Sequence, residues 1–316
     1  MSTPILFIVL PSYNEEAVLP SSIDHLTQLY GQLISDHAIS EASRLLFVND
    51  GSSDRTWDII EETSRTNPFV CGIKLARNVG HQNAILAGME SAKEYADVVI
   101  TMDADLQDDI AKIPEMLQKF ADGADIVYGI KNERKADSFF KRTTALLFYK
   151  LMNALGVRTV YNHADFRLMS KRAIEALSEY RERNLFLRGI IPQLGYKTDS
   201  IHENLREREA GESKYTLSKM MNLAIDGVTS FSIKPVRLIF SLGLVFVLLA
   251  IIMLIYVLCV VIQGKTVAGW ASLMLSMWFI GGCILIGLGI VGEYVGKIYL
   301  EVKDRPRYNI EETLIQ

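Results

Sequence analysis

The chain has 316 residues, too many for one small core and enough for a catalytic domain plus a second unit. Its 33 basic residues stand against 37 acidic ones, and the net charge of -4 argues against nucleic acid as a main partner, which selects a basic surface. Three widely spaced cysteines, Cys71, Cys259 and Cys283, match neither a disulfide framework nor a zinc site and point to a reducing compartment.

Residues 5–10 form a short apolar run that predicts a strand. The run is too short, and lacks the basic flank, for a signal peptide. Residues 15–34 have helical apolar spacing, with Asn14 as the expected cap. A strand over 45–49, a helix over about 55–65, a strand over 70–75, a helix over 80–95 and a strand over 98–102 follow. This βαβα order predicts an α/β domain with a Rossmann-like, mostly parallel sheet covered on both faces. Ligands of such sheets lie beyond the carboxyl ends of the strands.

Four polar clusters fall at those ends: Pro11-Ser12-Tyr13-Asn14-Glu15-Glu16, Asn49-Asp50-Gly51-Ser52-Ser53-Asp54, Arg77-Asn78-Val79-Gly80-His81-Gln82, and Asp103-Ala104-Asp105-Leu106-Gln107. Each alone is compatible with an ordinary turn or helix cap. In the fourth, strand alternation is expected to aim Asp103 and Asp105 to one side. Two such carboxylates repel unless a cation or donors lie between them. A hard divalent ion carrying a phosphate satisfies that need. Carboxylates, amides and close-approach glycines at four successive strand ends together read as a nucleotide-diphosphate site.

Beyond Lys234-Pro235 the composition changes. Residues 238–264 and 266–292 contain no Asp, Glu, Lys, Arg or His, and each is long enough to span a bilayer. The short link around Lys265 predicts an antiparallel two-helix transmembrane hairpin. Lys234 and Arg237 before it, and Lys297, Lys303, Arg305 and Arg307 after it, place the large domain and both termini in the cytoplasm by the positive-inside rule. The expected organisation is a catalytic domain over 1–215, a juxtamembrane amphipathic segment over 216–235, spans over 236–263 and 270–296, and a cytoplasmic tail over 297–316. Residues 139–155 and 217–233 mix apolar and basic side chains, as interfacial helices do. Lys131, Arg134 and Arg142 are cations suited to a lipid phosphate. Glycines in the second span favour close helix approach and self-association.

Leu10–Glu16, Val48–Asp54 and Asp103–Asp108 together resemble family 2 glycosyltransferases of the GT-A fold. Asp165-Phe166-Arg167-Leu168-Met169 and Arg208-Glu209-Ala210-Gly211-Glu212-Ser213-Lys214-Tyr215 narrow the resemblance to polyprenyl-phosphate glycosyltransferases of the bactoprenol glucosyltransferase and dolichol-phosphate mannose synthase type. The resemblance implies inverting transfer of one sugar from a nucleotide sugar to polyprenyl (undecaprenyl) phosphate at the cytoplasmic face of the inner or plasma membrane. It implies a UDP donor and glucose, with N-acetylhexosamine, mannose and a modified arabinose left open. By the same resemblance Pro11, Tyr13, Glu15, Asp50, Arg77, Gly80, Asp103 and Ala104 bind the donor. Asp105 and Gln107, with Asp103, hold Mg²⁺ or Mn²⁺. Arg208 and Lys214 close over the phosphates. Asp165 orients the acceptor or a sugar hydroxyl, with a general base as the alternative role. Relatives of this type imply a homotetramer. A processive polysaccharide synthase needs further spans and a Gln-x-x-Arg-Trp motif, both lacking here, and a non-catalytic nucleotide-binding scaffold is expected to have lost a metal carboxylate.

Overall fold

The protein is seen in a computed structural model that describes residues 3–131, 163–183, 185–203, 234–263 and 269–315. Strands β1 (Leu6–Ser12), β2 (Arg44–Asn49), β3 (Val70–Leu75), β4 (Val98–Thr101), β5 (Ile126–Lys131), β6 (His163–Ser170), β7 (Thr198–Glu203) and β8 (Ile310–Thr313) form one sheet. Their order is β7-β5-β6-β4-β1-β2-β3-β8. Helices α1 (Leu19–Ser35), α2 (Thr56–Ser64) and α3 (His81–Ala92) connect the first four strands, and α4 (Ile113–Ala121) precedes β5. Then come α5 (Lys171–Ser178) and the single turn α6 (Leu187–Ile190).

Period and burial agree in the first half. In α1, Leu19, Ile23, Leu26, Tyr30 and Leu33 recur at three- and four-residue steps and are all buried. Strands β1, β2 and β4 are nearly continuous apolar runs buried on both faces, as parallel strands under helices must be.

Two expectations need correction, and one is met in part. The sheet is mixed: the pairs β3–β2, β2–β1, β1–β4 and β5–β7 are parallel, as expected of most of it, while β6 is antiparallel to β4 and β5, and β8 to β3. Helix α1 begins at Leu19, and Asn14 is not its cap. Asn14 instead takes a left-handed backbone (φ 54°) and its side chain serves a neighbouring loop. Strand β4 ends at Thr101, so a turn rather than strand alternation directs Asp103 and Asp105.

The C-terminal residues return to the sheet. Strand β8 pairs with β3, and Trp57 Nε1 donates to Glu312 Oε2 at 2.8 Å. The Tyr308 hydroxyl donates to Glu90, and the Arg307 guanidinium to the carbonyl of Tyr180.

A second compact unit contains α7 (Lys234–Ile262) and α8 (Trp270–Val302). Phe246 and Phe279 meet edge to face at 5.7 Å. Gly287 lies so close to Ile239 that a Cβ there would sit 3.3 Å from Ile239 Cγ2. Among the described residues one segment, Phe279–Val302, is long and apolar enough to cross a membrane. The expected pair of spans is thus matched at one. The amphipathic segments at 139–155 and 217–233 lie outside the described residues.

Candidate active site

A cleft of 460 Å³ lies at the carboxyl ends of the parallel strands. Pro11, Tyr13, Glu15, Asp50, Gly80, Asp103, Ala104, Asp105, Gln107, Lys131 and Asp165, all expected from sequence, line it. Arg77 is not among the lining residues; its neighbour Asn78 is. Arg134, Arg142, Arg208 and Lys214 lie outside the described residues.

At one end the loops after β1 and β2 are laced together. Asn14 N–H donates to Ser52 Oγ at 3.0 Å, Glu15 N–H to Thr56 Oγ1 at 2.9 Å and Glu16 N–H to Asp54 Oδ2 at 3.2 Å. In return, Ser53 N–H donates to Asn14 Oδ1 at 2.9 Å and Arg55 N–H to Glu16 Oε2 at 3.0 Å. These bonds explain the late start of α1: the amides that would open a helix are already spent across the loops.

Asp50 braces the next loop. Its two carboxylate oxygens accept from Val79 N–H at 2.7 Å and Gly80 N–H at 3.0 Å. Burial pushes the Asp50 carboxyl up, and these amide bonds pull against that rise. Gly51 permits the approach. It has φ 65°, and a Cβ there would stand 2.5 Å from Asn78 N.

In the acidic turn, Ser22 Oγ donates to the Ala104 carbonyl at 2.6 Å, and Gln107 N–H to Asp105 Oδ1 at 3.2 Å. Leu106 sits between Asp105 and Gln107 with φ 51°, a costly conformation for a branched side chain that is held by its surroundings. The turn leaves Asp103, Asp105 and Gln107 all on the cleft wall. Beneath it, Asp108 is buried and accepts from Asp103 N–H at 3.4 Å. Burial and the Asp103 charge push the Asp108 carboxyl up to about 7. Lys131 Nζ lies 3.5 Å from Asp108 Oδ1, so this cation also faces the carboxyl under the turn.

The oxygen donors of Asp103, Asp105 and Gln107 suit a hard divalent ion. No group of three or more His, Cys, Asp or Glu able to hold a metal occurs among the described residues. An ion bound here therefore takes part of its coordination from elsewhere, as Mg²⁺ does from phosphate oxygens and water.

Among the cleft residues without an expected role, two are titratable, His81 and Arg188. Arg188 donates to Asp165 through Nη2 at 3.0 Å and Nε at 3.3 Å. His81 Nε2 lies 3.4 Å from Asp165 Oδ2 and 3.5 Å from Asp103 Oδ1. Buried Arg167 approaches Asp165 Oδ1 at 3.7 Å. Burial alone pushes the Asp165 carboxyl up, but the His81 hydrogen bond and the two guanidinium charges outweigh it and hold Asp165 well below the usual carboxylate range. Burial lowers the His81 pKa, but Asp165 and Asp103 overcome that and raise it. The signal for His81 was its place in a strand-end cluster. Arg188, on a short turn after β6, had none.

Residues 7–178 match the glycosyl transferase family 2 domain. The chain belongs to that family. Its mixed sheet is GT-A-like, with the cleft over the parallel half. The chain is 51% identical over 310 residues to an uncharacterized glycosyltransferase of Bacillus subtilis, YkoT, covering 98% of this chain and 92% of that protein. It is 38% identical over 311 residues to the bactoprenol glucosyl transferase of Shigella phage SfII, covering 97% of each. Among solved structures, glucosyl-3-phosphoglycerate synthase of Mycobacterium tuberculosis with Mn²⁺ and UDP is similar at TM-score 0.45 and 14% identity, over 72% of this chain and 78% of that one.

Proposed function

We propose that this glycosyltransferase moves one sugar, glucose first among candidates, from a UDP-sugar to polyprenyl phosphate at the cytoplasmic face of the membrane, with inversion at the anomeric carbon. The observation that carries this reading is similarity to bactoprenol glucosyl transferases along 97% of both chains, apolar helices included. Apolar helices of 29 and 33 residues suit an enzyme whose acceptor lies in the bilayer. In this reading α7 and α8 both span, and the sheet unit and both termini face the cytoplasm.

The clasped loops bearing Pro11, Tyr13, Glu15 and Asp50 receive the nucleoside. Asp103, Asp105 and Gln107 hold Mg²⁺ or Mn²⁺, which supplies positive charge against the leaving diphosphate. The acceptor phosphate, with its second pKa near ~6, arrives largely ionised and needs little deprotonation. Asp165, tied to two guanidiniums and an imidazole, is a poor base. It therefore orients the groups around it. Arg208 and Lys214 bear on the phosphates in this scheme, and the protein works as a homo-oligomer.

The test is incubation of the purified full-length protein with radiolabelled nucleotide sugars, Mg²⁺ or Mn²⁺ and undecaprenyl phosphate. A single labelled sugar on the lipid is expected. A polymer, or nucleotide binding without any transfer, refutes the proposal.

A further inference from the structure

The metal proposed above needs Asp103, Asp105 and Gln107 presented together, and the inference that follows rests on that reading. The three residues stand on an irregular turn, because β4 ends at Thr101. A turn keeps its shape through the partners of its backbone groups. Asp103 N–H donates to Asp108 Oδ2 at 3.4 Å, which is long, and Gln107 N–H donates to Asp105 Oδ1 at 3.2 Å, which lies within the turn itself. Between them stands Ala104, 4% exposed. Its carbonyl belongs to the planar peptide unit that carries Asp105, so whatever holds that oxygen sets the plane from which Asp105 departs.

The holder is Ser22, in the first turn of α1. Its Oγ donates to the Ala104 carbonyl at 2.6 Å, across 82 residues of sequence. Among the described residues it is the one donor to that oxygen. Ser22 is 0% exposed and shares the buried face of α1 with Leu19, Ile23 and Leu26. A hydroxyl in such a place costs stability unless it is bonded. Its second contact, with the Val18 carbonyl at 3.2 Å, does not account for it, since that carbonyl already accepts from Ser22 N–H at 3.1 Å. The start of α1 is itself tied to the cleft loops. The Glu15 carbonyl accepts from Val18 N–H at 3.1 Å and Leu19 N–H at 3.0 Å, and Glu15 N–H is bound to Thr56. Ser22 is not among the cleft-lining residues, so it acts on the turn from behind.

We infer that Ser22 is a positioning residue for the divalent ion: its hydroxyl, anchored on α1, locks the Ala104–Asp105 peptide so that Asp103 and Asp105 serve one ion together. Leu106 shows why a lock is needed. Its φ of 51° is disfavoured for a branched side chain, so the turn relaxes once a restraint is lifted. A buried carbonyl without its donor turns toward another, and the peptide rotates with it. Groups that orient metal ligands without touching the metal govern affinity by about ten- to hundred-fold.

The test uses the full-length protein in detergent. Electron paramagnetic resonance of free Mn²⁺, titrated at saturating UDP, gives the ion affinity. Thermal melts in EDTA give stability without the ion. Ser22→Ala is expected to weaken Mn²⁺ binding by about ten-fold or more. Ser22→Thr keeps the hydroxyl and should bind Mn²⁺ more tightly than Ser22→Ala, although its methyl crowds a closed site. Leu33→Ala trims the same buried face about three turns further along α1. It should lower the melting temperature at least as far as Ser22→Ala, yet leave Mn²⁺ affinity within about two-fold. Unchanged Mn²⁺ affinity in Ser22→Ala, an equal loss in Leu33→Ala, or a loss in Ser22→Thr as large as in Ser22→Ala overturns the inference and leaves the metal reading intact. Wild-type protein that takes up no Mn²⁺ at saturating UDP overturns the metal reading itself.

Discussion

Asp103 and Asp165 belong to segments 62 residues apart in sequence, yet the ring of one histidine, His81, lies 3.5 Å from the first and 3.4 Å from the second. The turn that suits a metal ion and the carboxylate that gathers the guanidiniums are thereby one unit. A change at any of the three residues is expected to reach the other two.

Asp165→Asn is expected to keep less than about a tenth of wild-type turnover, because the neutral amide no longer holds Arg188 and His81 by charge. The same change leaves buried Arg167 without its carboxylate, and removing one partner of a buried pair costs about 3–5 kcal/mol. A urea melt should show that loss. Turnover near wild type would remove Asp165 from any essential role.

The raised His81 pKa makes a signed statement about pH. Its stabilising contribution is fully present below the ordinary histidine value of 6.5 and is lost as pH rises through the higher folded-state value. In EDTA, the melting temperature of wild type should therefore exceed that of His81→Gln by more at pH 6 than at pH 9. An equal gap at both values contradicts protonated His81 as a stabilising bridge.

Donor binding should depend on a divalent ion. Chelation, or Asp105→Ala, is expected to reduce UDP affinity by at least about ten-fold, with Mn²⁺ or Mg²⁺ restoring it in wild type only. Isothermal titration with UDP checks both arms. Unchanged UDP affinity in excess EDTA counts against the metal assignment of Asp103, Asp105 and Gln107.

Gly51→Ala should destabilise the sheet domain. Its φ of 65° disfavours a side chain, and the new Cβ would meet backbone on the facing loop at 2.5 Å. A cost of about 1–3 kcal/mol is expected, with weaker UDP binding as the Asp50 brace shifts. Chemical denaturation and nucleotide titration of one sample measure both effects. A variant as stable as wild type would show that the two loops part easily.

Deleting residues 305–316 should lower the melting temperature and promote aggregation. The deletion removes β8, the Trp57–Glu312 bond and the contacts of Arg307 and Tyr308. It leaves the edge of β3 unpaired, and bare edges recruit other strands. Light scattering during a thermal ramp should separate the two proteins; coincident traces would mean that β8 contributes nothing to the edge.

The sequence read well where local pattern and burial coincide. Continuous apolar runs marked β1 to β4, helical spacing marked α1, and polar clusters at successive strand ends gathered most of the described cleft. It read poorly where a residue's partner is distant. Asn14 has the chemistry of a helix cap, but Ser53, 39 residues away, takes its side chain. The direction of β6 was hidden because a strand's own residues do not say which way its neighbour runs. Strand β8, Ile-Glu-Glu-Thr and exposed throughout, has no apolar face to announce it; it joins the sheet through its backbone and through polar contacts of Glu311 and Glu312 with Lys74 and Trp57, which are distant in sequence.

The order of residues was enough to fix the family, the parallel half of the sheet, the acidic turn and the two apolar stretches, because each depends on neighbours a few positions away. Folding in three dimensions decided that His81 joins Asp103 to Asp165, that Arg188 shares Asp165 with Arg167, and that the last strand closes the edge at β3. Those contacts link residues far apart along the chain, where the energy of pairing and desolvation depends on which surfaces meet and leaves no local pattern to read.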